Sequence, residues 1–476
     1  MIAALKPYPA MKDSGVAWLG DVPEHWETRK LRSVLRRVTE RNRPDLPLLS
    51  VVREKGVIVR DTTATAENHN FIPDDLSSYK VVRAGQFAMN KMKAWQGSYG
   101  VSDLEGIVSP AYFVFHLSGV DGRFFHSAIR SRAYVPSFAQ ASDGVRIGQW
   151  DLGEPRMREI PFAVPPVAEQ TAIVRFLDHA DRRFRRYIRA KQKLIKLLEE
   201  QKQTIIHQAV TRGLDPNVRF KPSGVAWLGD VPEHWVVASL RHRYDQCLGK
   251  MLDTQKATGH HPTHYLRNVD VRWDAINVRG LPVMDIAPEE RSRFTLKVGD
   301  LLVCEGRHLG RAAFWRGDLE LCGFQKALHR LRALDSSRDS PRFLYYCLLV
   351  VHLLDAFGAS SSDNSIPHLT GEMLRAHRFP FPPREEQDGI ALHLDSMTTA
   401  GSRASQETMR EINLLGEYRT RLIADVVTGK LDVRGAAARL PDEADELEVL
   451  DEADTLTDDE EVSTDEVNEA STEAGV

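Results

Sequence analysis

Cysteine is scarce in this chain, and one long stretch has no basic residues at all. Only four cysteines occur among 476 residues, Cys247, Cys304, Cys322 and Cys347. All lie in the second half without a C-x-x-C spacing, so no disulfide can reach the first half, and a reducing cytoplasm fits best. The N-terminus, MIAALKPYPAMKDSG, lacks the basic region and following apolar stretch that start export. The longest apolar run, Leu344 to Leu354, contains His352 and is too short to span a bilayer. These absences predict a soluble cytoplasmic protein with no membrane partner.

Catalytic signatures are missing too. There is no G-x-x-x-x-G-K-[ST] loop to cradle ATP phosphates, and no Asn-Pro-Pro-Tyr or Asp-Pro-Pro-Tyr segment of the sort amino-methyltransferases use on a flipped base. Asp74 and Asp75 have no Glu-x-Lys partner downstream with which to hold Mg²⁺ as a nuclease would. His260 and His264 have the spacing of a zinc pair, but Pro262 between them argues against a helix, so a surface loop is expected. His25 and His234 each precede a tryptophan and read as packed structural histidines. No catalytic residue and no metal ligand is therefore assigned, and the chain is expected not to be an enzyme.

The net charge of −4 hides an asymmetry. Residues 441–476 hold 16 Asp or Glu and no Lys or Arg, so the other 440 residues set all 63 basic side chains against 51 acidic ones, about +12. A basic body suits a polyanionic partner. The tail, poor in bulky apolar residues and self-repelling, reads as disordered and solubilising.

What the sequence does contain is a duplication. SGVAWLGDVPEHW at residues 14–26 recurs letter for letter at 223–235. A second shared segment follows: Pro165, Pro166, Glu169, Gln170, Ile173, Leu177 and Asp178 match Pro382, Pro383, Glu386, Gln387, Ile390, Leu394 and Asp395. The register then holds through Leu197, Leu198, Glu200, Ile206, Val210, Thr211, Leu214 and Asp215, which match Leu414, Leu415, Glu417, Ile423, Val427, Thr428, Leu431 and Asp432. Between these segments the halves share little beyond Gly85 and Gly299. Each half is a constant frame around a variable domain.

The constant C-terminal part of each half begins with a Pro-Pro pair and then acidic residues, a helix start. Alternate steps of four and three from Ile173 run through Leu177, Ala180, Phe184, Tyr187, Lys191, Leu194, Leu198, Gln201 and Ile205. From Ile390 the same steps meet Leu394, Met397, Gly401, Ala404, Thr408, Glu411, Leu415, Tyr418 and Leu422. Two such seams can pair. From Glu169 to Thr211 the helix would be roughly 60 Å long, enough to act as a ruler between two domains.

The variable parts have short β-branched and aromatic runs bounded by Gly, Pro and Asp. VVRAGQFAMN and FTLKVGDLLVCEG each read as strand, glycine turn, strand. The fold class is therefore α/β of the α+β kind, with two mixed domains in tandem pseudo-repeat separated by two long antiparallel coiled-coil helices. The map is a repeated segment at 1–26, a first domain at 27–164, a central helix spacer at 165–222, a second domain at 223–381 opening with the repeated segment, a distal helix spacer at 382–435 and an acidic tail at 436–476. Candidate nucleic-acid contacts are Lys91, Lys93, Gln96 and Tyr99 in NKMKAWQGSYG, with Trp95 among them, then Arg307, His308 and Arg311 in EGRHLGR, followed by Gln325 and Lys326; Arg146 and Asn364 could add to them.

The arrangement over residues 12–432 resembles the specificity subunit of type I restriction-modification systems. SGVAWLGDVPEHW before each variable domain, NKMKAWQGSYG followed by GIVSPAY, and PPVAEQTAI or PPREEQDGI opening each long helix are similar to that family's recurring elements. The resemblance implies two target-recognition domains, each reading one half of a split, asymmetric site in double-stranded DNA, with paired helices fixing the unread spacer. It also implies a role in host defence. The helices would dock two methyltransferase subunits that carry S-adenosylmethionine and methylate adenine N6, and restriction subunits using ATP and Mg²⁺ would join that core; no cofactor is expected in this chain. The acidic tail departs from the family pattern. A non-DNA assembly scaffold, joining other subunits through the helices, is the alternative.

Overall fold

Short, largely apolar runs build antiparallel strands in both variable regions, and two long heptad-like stretches build helices. The computed structural model describes residues 5–53, 55–60, 72–73, 75–144, 150–252, 259–306, 309–357 and 368–441. The tail expected at 436–476 is corrected at its start, since a short helix covers Arg434–Ala437 and buries Ala437; residues 442–476 lie outside the described residues. The chain divides into two units, residues 1–190 with 411–476, and residues 191–410.

In the first unit, β1 (Leu35–Val38), β2 (Phe87–Met89), β3 (Tyr99–Val101) and β4 (Phe113–Leu117) form an antiparallel sheet of order β1-β4-β2-β3. The helix α1 (Gly122–Ile129) packs on β3. In the second unit, β5 (Tyr244–Leu248), β6 (Leu301–Cys304), β7 (Ala312–Phe314) and β8 (Leu328–Ala333) form a sheet of order β5-β8-β6-β7, again antiparallel.

The topology is the same although the sequences are not, because ladder hydrogen bonds are made by backbone and ask only that the buried face be apolar. Gly85 and Gly299 have one job: at φ +81° and +90° each makes the left-handed turn that leads into β2 or β6. The first strand-turn-strand reading holds, with Lys80–Val82 and β2 on either side of Gly85, and the second is corrected in its first strand. Lys80–Val82 pairs with Gly106–Val108 rather than with β2, and Thr295 to Val298 holds only an isolated bridge, Thr295 to Gly323. Pro262–Leu266, expected as a loop, is a strand.

Two long helices follow the sheets. α2 (Val167–Arg212) has 46 residues; α3 (Pro341–Leu353) is buried among aromatic and aliphatic side chains of the second unit and contains the longest apolar run; α4 (Arg384–Val427) has 44 residues. The first unit takes the beginning of α2 and the end of α4, and the second unit takes the remainder of each. Within the first unit the two helices run antiparallel: Phe184 meets Tyr418 edge to face with ring centroids 5.7 Å apart, and Asp181 accepts from Arg419 at 2.5 Å. Of the seam, Ile173, Leu177, Phe184, Ile390, Leu394 and Leu422 are buried, while Leu198, Ile205 and Leu415 are half-buried. Leu194 and Met397 are each 40% exposed.

The duplicated residues form the frame, and its His, Trp, Glu, Gln and Asp have equivalent partners in both units. Trp26 Nε1 donates to Glu169 at 2.9 Å and His25 Nε2 lies 2.7 Å from the same carboxylate. Trp235 and His234 meet Glu386 at 3.0 and 2.8 Å. The next residue is a clamp: Gln170 donates to Pro165 O at 2.8 Å and accepts from Asp121 N at 2.6 Å, at the start of α1. Gln387 does the same with Pro382 O and with Ser340 N at the start of α3. About two turns further, Asp178 pairs with Arg123 and Asp395 with Arg342. Each long helix is thereby fastened at its first turns to the repeated segment and to a helix of its own variable domain. The buried Trp26 and Trp235 indoles and the Gln170 and Gln387 amides all find partners in this network, as low-dielectric interiors require.

Three of the cysteines are buried and Cys247 is half-buried. Burial pushes the thiols of Cys304 and Cys322 up to about 11 and about 12, and that of Cys347 well above its usual range. Iodoacetamide at pH 8 is expected to label the native chain at Cys247 first, with the others reacting only on unfolding. Rapid native labelling of Cys347, read by mass spectrometry, would contradict this packing. Among the described residues, no helix is long and apolar enough to cross a membrane, and no three His, Cys, Asp or Glu side chains are grouped to hold a metal ion.

Candidate nucleic-acid interface

The segment Asn90 to Gly100 is a tight turn hung between β2 and β3. Asn90 Oδ1 accepts from Met92 N, a short 3₁₀ turn covers Ala94–Gln96, and Gly97 at φ +93° closes it. Asn90 Nδ2 donates to Tyr112 Oη at 3.0 Å, and Lys80 Nζ donates to Tyr112 O at 2.5 Å. The two recognisable segments of this domain, NKMKAWQGSYG and GIVSPAY, are thus one structure: the second braces the first.

That brace decides what each candidate can do. Lys93 is exposed on the turn and Gln96 is half-buried beside it. Lys91 is held by Asp151 at 2.9 Å, and its carbonyl accepts from Leu152 N. Trp95 packs on Trp150 with centroids 5.3 Å apart. Tyr99 is corrected: it is fully buried on β3, its hydroxyl donating to Ile129 O at 3.2 Å and its ring 4.5 Å from Phe138. Burial alone pushes its phenol far above the usual range, so it stays a neutral core residue. Arg146 lies outside the described residues.

In the second unit Lys326 is exposed and Gln325 half-buried, in the turn that enters β8. Arg311 turns inward, donating to Asn268 O at 2.9 Å while its buried Nε has no partner, so it braces the Asn268 turn. Arg307, His308 and Asn364 lie outside the described residues. The structure therefore leaves Lys93, Gln96, Gln325 and Lys326 as outward candidates, with Lys91 available only by giving up Asp151.

One pair escaped the sequence reading. Arg36 on β1 stands exposed directly opposite exposed His116 on β4, a cross-strand pair of donors on the same face of the first sheet. The sequence gives no sign of it, because Arg36 and Arg37 are adjacent and nothing shows which strand lies beside them.

No family model matches this chain. In sequence it is 20% identical over 449 residues to the putative type I restriction enzyme MjaX specificity subunit of Methanocaldococcus jannaschii, spanning 87% of this chain and 96% of that protein. It is 21% identical over 282 residues to the type I restriction enzyme MjaVIII specificity subunit of the same organism, spanning 58% of this chain and 63% of that one. In fold it is similar to the HsdS subunit from Thermoanaerobacter tengcongensis, with a TM-score of 0.54 at 17% identity, covering 86% of this chain and 98% of the other. A chain from a structural study of complex assembly and conformational transition of the type I R-M system gives a TM-score of 0.65 at 17% identity, covering 86% and 99%. In sequence along nearly its whole length, and in fold, the chain is similar to specificity subunits of type I restriction-modification systems.

Proposed function

We propose that this chain is the DNA sequence-recognition subunit of a type I restriction-modification complex, each variable domain reading one half of a bipartite, asymmetric site. The observation that carries this reading is the pairing of constant frame with variable face. Two sheets of the same topology go with long helices fastened by the same Glu, Gln and Asp anchors, yet the outward candidates sit at non-equivalent places, Lys93 and Gln96 between β2 and β3 and Gln325 and Lys326 just ahead of β8. A scaffold needs no such variation; a reader of two unlike half-sites does. The chain would make and break no bonds. Methyltransferase subunits, docked on the long helices, would supply S-adenosylmethionine, and restriction subunits ATP and Mg²⁺.

The test is single-molecule sequencing of genomic DNA from the native host and from a strain lacking this gene, scored for N6-methyladenine. Loss of methylation at one split motif, two short blocks around a fixed gap, is the expected result. Matching methylomes in cells that express the protein would reject the reading. Within that function, changing Lys91 and Lys93 together to Ala should weaken one half-site only, with Lys93→Ala alone supplying most of the loss because Lys91 is held by Asp151. A phosphate contact at Lys93 would lower the salt slope of binding by about one. Equal loss at both halves would reject the assignment of one domain to one half.

A further inference from the structure

The duplicated frame allows one row of side chains to be compared between the two sheets. Leu31 N donates to Ile160 O as Leu240 N does to His377 O, and Ser118 N donates to Val34 O as Leu334 N does to Arg243 O. These matching bonds put Arg36 on β1 and His116 on β4 in the positions that Asp245 on β5 and Arg332 on β8 hold in the second unit. The residue after each shared glycine completes the row. Gln86 precedes Phe87, which pairs with Phe115, and Asp300 precedes Leu301, which pairs with Leu331, so Gln86 falls beside His116 and Asp300 beside Arg332.

In the second unit this row is closed. Arg332 stands between two carboxylates, opposite Asp245 and donating to Asp300 Oδ1 and Oδ2 at 2.5 and 2.7 Å. Asp300 also accepts from Lys297 N at 2.7 Å, and Gln86 repeats that turn by accepting from Arg83 N at 2.9 Å through Oε1. The first row contains no acid. Among the described residues, the Arg36 guanidinium, the His116 ring and Gln86 Nε2 have no partner, and Arg36 and His116 are exposed. Neighbouring cations are already paired, Arg37 with Glu154 and Arg83 with Glu40 and Glu105. Opposite charges facing each other across a ladder stabilise a sheet, so the first unit forgoes a pairing that the second makes. It is left with a guanidinium, an imidazole and an amide in line, each an N–H donor whatever the protonation state of the ring.

Strands about 4.8 Å apart spread these donors over about 10 Å of open sheet. Such a row suits oxyanions; it is too long and too shallow to enclose a small phosphorylated ligand, and is fitted to a polyanionic backbone. We propose that the Arg36–His116–Gln86 row binds the phosphate backbone of duplex DNA, a contact that the closed row of the second unit does not offer. The assignment rests on the DNA-reading function proposed above and adds to it a positioning contact, not a base reader.

Two measurements on the full chain test it. The first is fluorescence anisotropy with short DNA duplexes of random sequence. Arg36→Gln together with His116→Gln should weaken binding about fivefold at low salt and lower the salt slope by about one, equally for two unrelated duplexes. Transplanting the closed row, as Arg36→Asp, His116→Arg and Gln86→Asp, should weaken it further; the second unit shows that a sheet of this topology accommodates those residues. Unchanged affinity in both variants overturns the proposal. A loss confined to one duplex would make the row a base reader and overturn it too.

The second measurement is modification of His116 by diethylpyrocarbonate, read by mass spectrometry. Bound duplex is expected to slow it several-fold at low salt, with the protection gone at high salt, while inorganic pyrophosphate gives little protection. Pyrophosphate protecting as well as duplex would make the ligand a free phosphate group and reject the backbone assignment. If the chain binds duplex and His116 stays as reactive as before, the row is rejected and the DNA-reading function stands; if the wild-type chain binds no duplex, that function falls and the row falls with it.

Discussion

Changing Glu169 to Ala should destabilise the first unit by roughly 3 kcal/mol, the sum of leaving two buried donors without an acceptor. Glu169 is 6% exposed and accepts from Tyr8 Oη at 2.5 Å and from Trp26 Nε1, with His25 alongside. Burial and this carboxylate hold the Tyr8 phenol well above its usual range, so it remains a donor, and Arg434 lies 5.0 Å above its ring. The partner position provides the control. Glu386 has 29% of its side chain exposed, with Trp235 and His234 as its donors, so Glu386→Ala should cost about 1 kcal/mol. Urea unfolding of both variants, followed by tryptophan fluorescence, measures the difference; losses of equal size would show that the third donor and deeper burial contribute nothing.

Gly429→Ala should be as damaging, and Gly213→Ala clearly less so. Both glycines close a long helix in the left-handed region, at φ +74° and +75°, where an added Cβ costs about 1 kcal/mol or more by itself. Their surroundings differ. A Cβ on Gly429 would collide with the Pro23 ring and touch Trp26 at 3.2 Å, and a proline ring cannot swing aside. On Gly213 it would meet Glu386 Oε1 and Trp235, each at 3.2 Å, contacts that a small shift can relieve. Overpacking adds roughly 1–3 kcal/mol in the first case, for a total near 3, against about 1–2 in the second. Thermal melting ranks the two; a larger loss at Gly213 would mean that the helix end, not the Pro23–Trp26 contact, limits the fit.

These two sites show what could and could not be read from the sequence. The duplication announced that PEHW and PPxxEQ matter twice, because a frame made of side-chain hydrogen bonds must repeat its side chains. That Glu169 reaches Trp26, 143 positions away, was not legible: spacing along the chain says nothing of distance across a fold. The equivalence of the two sheets was hidden for the opposite reason, since backbone ladders tolerate unrelated sequences and only Gly85 and Gly299 had to be kept. Tyr99 was misread because an aromatic among glycines resembles a loop residue, whereas strand pairing with β2 turns it into the core. Arg311 was misread because an arginine beside glycines looks free to face a ligand, while a carbonyl at Asn268 holds it inward.

The discontinuity of the first unit sets an order of assembly during synthesis. Residues 191–410 leave the ribosome as one uninterrupted stretch and contain every member of their unit. The first 190 residues emerge earlier but must wait, because Leu422, Val426, Val427, Val433 and Ala437 belong to the same apolar core as Leu19, Val22 and Trp26, and because Lys6 pairs with Asp432. The domain translated first is therefore the one completed last. A nonsense codon shortly after position 410 would spare the later-made unit and strip the earlier one of the helix end that covers its tryptophan, so damage at the 3′ end of the gene is felt at the opposite end of the protein.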